Sequence, residues 1–225
     1  MQLAIQAIGY LVGLPLEVLI IAALLRGGYK RYPFVFVYVL ADLLTTAVEI
    51  RPSLGYGSGT RQAVHEFLLI YWIDERIMQT AMFLVVISLI YVTARGRKPQ
   101  GTVMLGVIGG TIVFAGVSFL IHYSSHRYIG QRMTPWTRDL NFGAALLDFA
   151  LWGRLIAQPN KDYTLLMLSG ALGIQFTAQA IGHAVRTVYP SPAIVYLANV
   201  LLMMMNLIFV YLWWQALRPR TQTQE

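Results

Sequence analysis

The stretch AIVYLANVLLMMMNLIFVYLWWQAL, residues 193–217, contains no charged side chain over its whole length. A helix needs roughly 20 predominantly apolar residues to cross the hydrocarbon of a bilayer, and this run exceeds that. Working back towards the N-terminus, six more apolar runs are separated by short polar punctuation. The chain has 225 residues, is 57% hydrophobic and only 12% charged. A soluble domain carries about 25% charge. The mean hydropathy is +0.59. These values predict an all-α polytopic membrane protein: one bundle of seven transmembrane helices in contact with the lipid bilayer.

The predicted spans are 5–26, 33–50, 63–94, 102–123, 136–157, 163–188 and 193–217 in a single domain 1–217, followed by a short tail, 218–225. Arg26-Gly27-Gly28, Arg51-Pro52-Ser53, Arg95-Gly96-Arg97, Gln158-Pro159-Asn160 and Pro190-Ser191-Pro192 mark the breaks. The third span is long: a helix over 63–94 would measure about 48 Å at 1.5 Å per residue, against a hydrocarbon core of about 30 Å. Its first part, 61–76, is expected to be an outer extension or an interfacial segment bearing His65, Glu66, Asp74, Glu75 and Arg76. The first apolar run lacks a basic leader and a small-residue cleavage pattern, and is read as a retained helix.

Charge sets the expected orientation. Of 17 Lys and Arg, Arg26, Lys30, Arg31, Arg95, Arg97, Lys98, Arg154, Lys161, Arg218 and Arg220 fall on one side. Arg51, Arg61, Arg76, Arg127, Arg132, Arg138 and Arg186 fall on the other. All three lysines are in the first set, so the positive-inside rule predicts N-terminus outside and C-terminus cytoplasmic. Tyr10, Trp72, Tyr123, Trp136, Tyr189, Trp213 and Trp214 near the span ends read as an aromatic belt. The net charge of +7 is accounted for by basic loops, and no nucleic-acid partner is expected. Cysteine is absent, which excludes disulfides, thiolate metal sites and cysteine nucleophiles.

The strongest functional signal is three carboxylates at one predicted depth. Glu17, Asp42 and Asp148 each lie nine residues from the predicted cytoplasmic end of their span. Ionisable groups in hydrocarbon are costly and face the bundle interior, so they mark a proton, ion or ligand site by default. The alternative is inter-helix hydrogen bonding that fixes register. Pro15 removes a helix donor two residues before Glu17 and is expected either to kink the span or to pack as an ordinary bend.

Further polar residues repeat at helical spacing: Asp42, Thr45, Thr46 and Glu49 on the second span; Arg138, Asn141 and Asp148 on the fifth; Gln175, Gln179, His183 and Arg186 on the sixth; Asn199 and Asn206 on the seventh. Such stripes avoid lipid and should face one another. They predict a polar interior that opens outward and closes near the acids. The midplane candidates are Glu17, Asp42, Asp148, Gln175, Gln179 and Asn206. The outer candidates are Glu49, Asp74, Glu75, Arg76, Arg138, His183 and Arg186.

No cofactor is expected; two chemistries stand as alternatives. His122 and His126 stand at i, i+4, a spacing compatible with a shared metal. With His183, and Asp139 or Glu66, they would form a zinc site. His122 and His183 would alternatively be axial haem ligands. A retinal Schiff base is excluded, because Lys30, Lys98 and Lys161 all lie in predicted inner loops. Walker A, HExxH and GxSxG patterns are absent. Gly106 and Gly110 form a GxxxG, and Ser169 and Gly173 a small-xxx-small pair. Both are expected to pack within the bundle, with a partner helix as the alternative.

Tyr71-Trp72, Glu75 and the apolar span after them resemble a segment of small seven-span proteins found in bacterial genomes. The resemblance implies a bacterial cytoplasmic membrane and supplies no activity. The expected function is a non-enzymatic accessory subunit or ligand-sensing component of a larger membrane complex, with a membrane-protein partner or a homo-oligomer implied. The alternatives are a small proton- or cation-coupled transporter using the midplane carboxylates and, third, a metal- or haem-binding membrane enzyme.

Overall fold

The computed structural model describes residues 2–56, 61–94, 101–123, 129–159, 162–188 and 191–218. These form α1 (Gln2–Leu25), a 3-10 turn (Gly28–Lys30), α2 (Pro33–Tyr56), α3 (Arg61–Ala94), α4 (Gly101–Tyr123), α5 (Ile129–Ala157), α6 (Tyr163–Val188) and α7 (Pro192–Leu217). No strand occurs among the described residues. Four helices contain a stretch long and apolar enough to cross a membrane: 73–93, 138–157, 163–182 and 193–217. Shorter apolar stretches occupy 9–25, 33–48 and 109–122.

Local sequence sets the helix ends. Gly27 has φ +129°, a backbone state that an L side chain resists, and its N–H returns to the Leu24 carbonyl at 3.1 Å. The chain therefore reverses sharply after α1. Pro33 and Pro192 open α2 and α7, where a missing N–H costs nothing. Ser191 caps α7 by accepting from the Ile194 N–H at 3.4 Å. Asp162 caps α6 by accepting from the Thr164 and Leu165 N–H groups, both at 3.1 Å. Its other carboxylate oxygen pairs with Arg31. That ion pair brings the α1–α2 and α5–α6 connections to the same end of the bundle.

The packing is a closed ring of six helices in the order α1–α2–α3–α5–α6–α7, with α7 returning to α1. Helix α4 stands outside the ring against α5, with a lighter contact to α3. The buried apolar core draws on every ring helix, through residues such as Leu24, Val39, Val86, Leu151, Leu172 and Trp213, and among the described residues takes no buried apolar side chain from α4. The expected internal packing of Gly106 and Gly110 is thus corrected. A Cβ at either position would meet nothing within 4 Å, because α4 turns this face away from the ring.

The outer surface is apolar. Leu11 is 77% and Phe149 72% exposed, with Leu197, Leu120 and Ile112 also open. So many exposed large apolar side chains are compatible with contact to lipid. Trp213, read above as part of an interfacial belt, is instead 1% exposed. Its ring lies 4.5 Å from Phe209 and 5.4 Å from Tyr38, and its indole N–H donates to the Leu168 carbonyl at 3.2 Å. Its place near the helix end does not decide which way it faces, and the rotation of α7 turns it inward.

Candidate functional site

Glu17 on α1, Asp42 on α2 and Asn206 on α7 meet in a cavity of about 170 Å³. Gly9, Tyr10, Gly13, Leu14, Thr46, Met203 and Leu207 complete its wall. Backbone packing makes the space. A Cβ at Gly9 would lie 2.9 Å from the Met203 sulfur, and one at Gly13 would lie 3.7 Å from Leu207 and 3.8 Å from Glu17 Oε1. Gly9, Gly13 and Glu17 stand at i, i+4 and i+8 on one face of α1, so the two glycines admit α7 beside the acid. Helix α1 continues through Pro15, which has no N–H to donate.

The cavity has a floor. One turn nearer the Arg31–Asp162 end, Ile20, Tyr38 and Phe209 are buried, with Leu24, Val35 and Trp213 behind them. Tyr38 meets Phe209 edge-on at 6.2 Å. Gly9, Tyr10, Gly13, Thr46 and Met203 extend the lining away from that end. The polar space therefore runs from mid-bundle towards the end that bears the start of α1.

Electrostatically the site is acidic. Asp42 interacts with Glu17 and with Asp74 of α3. Among the described residues no base is paired with Glu17 or Asp42. Glu17 is 5% exposed, and its Oε2 has no hydrogen-bond partner. A buried oxygen in this state is an incomplete coordination shell. The Gln175 amide donates to Asn206 Oδ1 at 3.2 Å, extending the polar group from α7 to α6.

Asp148 lies apart from this cavity. It is 2% exposed and faces α6, where the Ser169 hydroxyl donates to its Oδ1 at 2.8 Å. A Cβ at Gly173 would meet its Oδ2 at 3.3 Å. The Ser169/Gly173 pair thus makes room for a carboxyl group. Asp148 also borders a mostly apolar groove of about 690 Å³ between α5, α6 and α7, walled by Phe149, Trp152, Ile174, Leu201 and others. The structure therefore joins two of the three acids and separates the third.

The other sequence candidates distribute as follows. Gln175 is buried, and Gln179, Asp74, Glu75 and Arg76 are half-buried. Arg138 is exposed, as is Asn199, so neither lines the interior. His122 Nδ1 donates to the Ser118 carbonyl at 2.9 Å and lies 3.9 Å from Asp139 Oδ2. The Ser118 hydroxyl donates to the same carboxylate oxygen at 2.7 Å. These contacts fasten α4 to α5. His126 and the side chains of Glu49, His183 and Arg186 lie outside the described residues. Among the described residues no three His, Asp or Glu side chains stand close enough to hold a metal.

Sequence reasoning missed the glycine face of α1, Met203 and Leu207 as walls, and Ser169 as the partner of Asp148. The spacing Gly9-x-x-x-Gly13-x-x-x-Glu17 was a readable signal for the first.

The fold and the apolar surface define a helical membrane protein with an acidic pocket among its helices. No family model, curated protein or solved structure matches the chain.

Proposed function

We propose that the chain is a non-enzymatic, seven-span protein of the bacterial inner membrane, with its N-terminus outside and its C-terminus in the cytoplasm. It acts as a ligand-sensing component or accessory subunit of a larger membrane complex. The observation that carries this reading is the cavity at Glu17, Asp42 and Asn206. It is polar, floored by aromatic and aliphatic packing, and bordered by an unpartnered buried carboxylate oxygen. Such a pocket is suited to receiving a small polar ligand. The described segments include no soluble output domain, so a bound-state change would have to pass through another membrane protein. Helix α4 offers a surface for that contact, since Gly106, Gly109 and Gly110 are exposed and open and small residues let helices approach closely.

Native mass spectrometry of the tagged protein, released gently from its own membrane, tests the reading. A stoichiometric small molecule or protein partner is expected. A monodisperse species without ligand or partner would overturn it.

The second reading is a proton- or cation-coupled carrier. Two acids that share one cavity at mid-bundle favour it, since carriers place their sites at that depth. Asp42→Asn should then abolish pH-dependent flux in liposomes, and unchanged flux would exclude it. No observation favours the metal or haem enzyme.

A further inference from the structure

We infer that the cavity between α1, α2 and α7 binds a small primary ammonium ion. This deepens the ligand-binding reading above and rests on it. Four observations converge. The first is charge: Glu17 and Asp42 border the same space, Asp74 adds a third acid within electrostatic reach of Asp42, and no base among the described residues is paired with Glu17 or Asp42. A cation seated between like charges relieves their repulsion.

The second is valence. Glu17 Oε2 is buried and unpartnered, and an ammonium group offers three N–H donors. The Glu17 and Asp42 carboxylates and the Asn206 side-chain oxygen, which also accepts from Gln175, supply three acceptors on three helices, and the Thr46 hydroxyl lies beside Asp42 on α2. Charge-assisted bonds of this kind are about twice as strong as neutral ones.

The third is wall chemistry. Leu14, Leu207 and the Met203 thioether line the same cavity, and these cover carbon better than they cover a hydrated metal ion. Calcium takes 6–8 oxygen ligands, whereas the described residues offer no three carboxylate or imidazole groups clustered for a metal. The fourth is size. A cavity of about 170 Å³ equals nearly six water volumes at about 30 Å³ each. That matches an ammonium nitrogen with up to about four carbons.

The test uses full-length protein in neutral-lipid nanodiscs, with thermal unfolding and calorimetry as readouts. The probes are methyl-, ethyl-, butyl- and hexylammonium, with tetramethylammonium and sodium as controls. Affinity should rise through butylammonium and then level off, and tetramethylammonium, which has no N–H donor, should be inert. Glu17→Gln should lower butylammonium affinity about tenfold or more, the scale of a lost charge-assisted bond. Gly13→Ala is the companion variant. Its methyl would make only ordinary contacts with Leu207 and Glu17, so the fold should tolerate it while the cavity narrows, shifting the preference towards methylammonium. Gln215→Ala, near the far end of α7, should change nothing.

Equal response to tetramethylammonium, or butylammonium binding that survives Glu17→Gln and Gly13→Ala unchanged, would overturn the assignment. Binding of sodium alone would overturn the ammonium class and leave the ligand site standing. No binding by any probe overturns the assignment, and the native-membrane preparation then decides separately whether the site holds another ligand or none.

Discussion

Ser169→Ala should destabilise the α5–α6 contact by about 1 kcal/mol. Ser169 is 0% and Asp148 2% exposed. The hydroxyl donates to Asp148 Oδ1 at 2.8 Å, and it is the one side-chain partner of that carboxyl group among the described residues. Removing it leaves a buried acceptor orphaned, which costs about 1–3 kcal/mol in water-soluble proteins. In membranes, inter-helix hydrogen bonds average about 0.6 and reach about 1.7 kcal/mol, because the unfolded segment also finds partners in lipid. The near-complete burial of both residues argues for the upper half of that range. The lost volume is a single oxygen, so the cavity term is small.

A double-mutant cycle with Asp148→Ala isolates the pair. Each variant would be unfolded by SDS in mixed micelles and followed by fluorescence of the five tryptophans. The expected coupling is about 1 kcal/mol. A coupling below about 0.3 kcal/mol, the usual limit of additivity, would refute the claim that Ser169 satisfies Asp148.

Two further outcomes follow from packing. Gly182→Ala should cost about 1–3 kcal/mol by overpacking, because its new methyl would sit 2.8 Å from three atoms of Leu202; the same SDS titration would show it, and wild-type stability would refute the close α6–α7 approach. Tyr32→Phe should be neutral or stabilising, since the Tyr32 hydroxyl is buried without a partner. Burial, then the charge of Asp162, raises the Tyr32 pKa to about 12, partly offset by Arg31. A phenol held protonated in the folded state contributes stability below its ordinary value near 10. That contribution is lost as pH rises towards 12, so wild type should weaken across that window and Tyr32→Phe should not; parallel stability profiles would contradict this.

The helices were legible because apolar runs of spanning length alternate with Gly, Pro and charge. Pro33 fixes the start of α2 to the residue, and α7 begins at Pro192, one residue before the expected 193. Helix rotation was not legible. Helix α4 is apolar on every side, so nothing in its pattern said that it would stand outside the ring or leave Gly106 and Gly110 open. Trp213 and Trp214 are neighbours in sequence, yet the 100° turn between them buries the first in the core and leaves the second half-exposed beneath Arg218. The same effect divides the acids. Equal spacing from the helix ends gave Glu17, Asp42 and Asp148 one depth, but depth fixes only one coordinate. Azimuth turns the first two into a shared cavity and the third towards Ser169. Asp74, expected on an outer extension or interfacial segment, lies within electrostatic reach of Asp42.

In the proposed orientation the polar cavity is closed at the Arg31–Asp162 end and reached from the outer one. Because the chain contains no cysteine, single substitutions can map this access directly. Thr46→Cys lies on the cavity wall, and Val39→Cys lies in the buried packing on the floor side. A membrane-impermeant thiol reagent applied to whole cells should label Thr46→Cys from outside and leave Val39→Cys unmodified. Labelling of Val39→Cys, or protection of Thr46→Cys from the outside, would contradict an outward-opening polar interior.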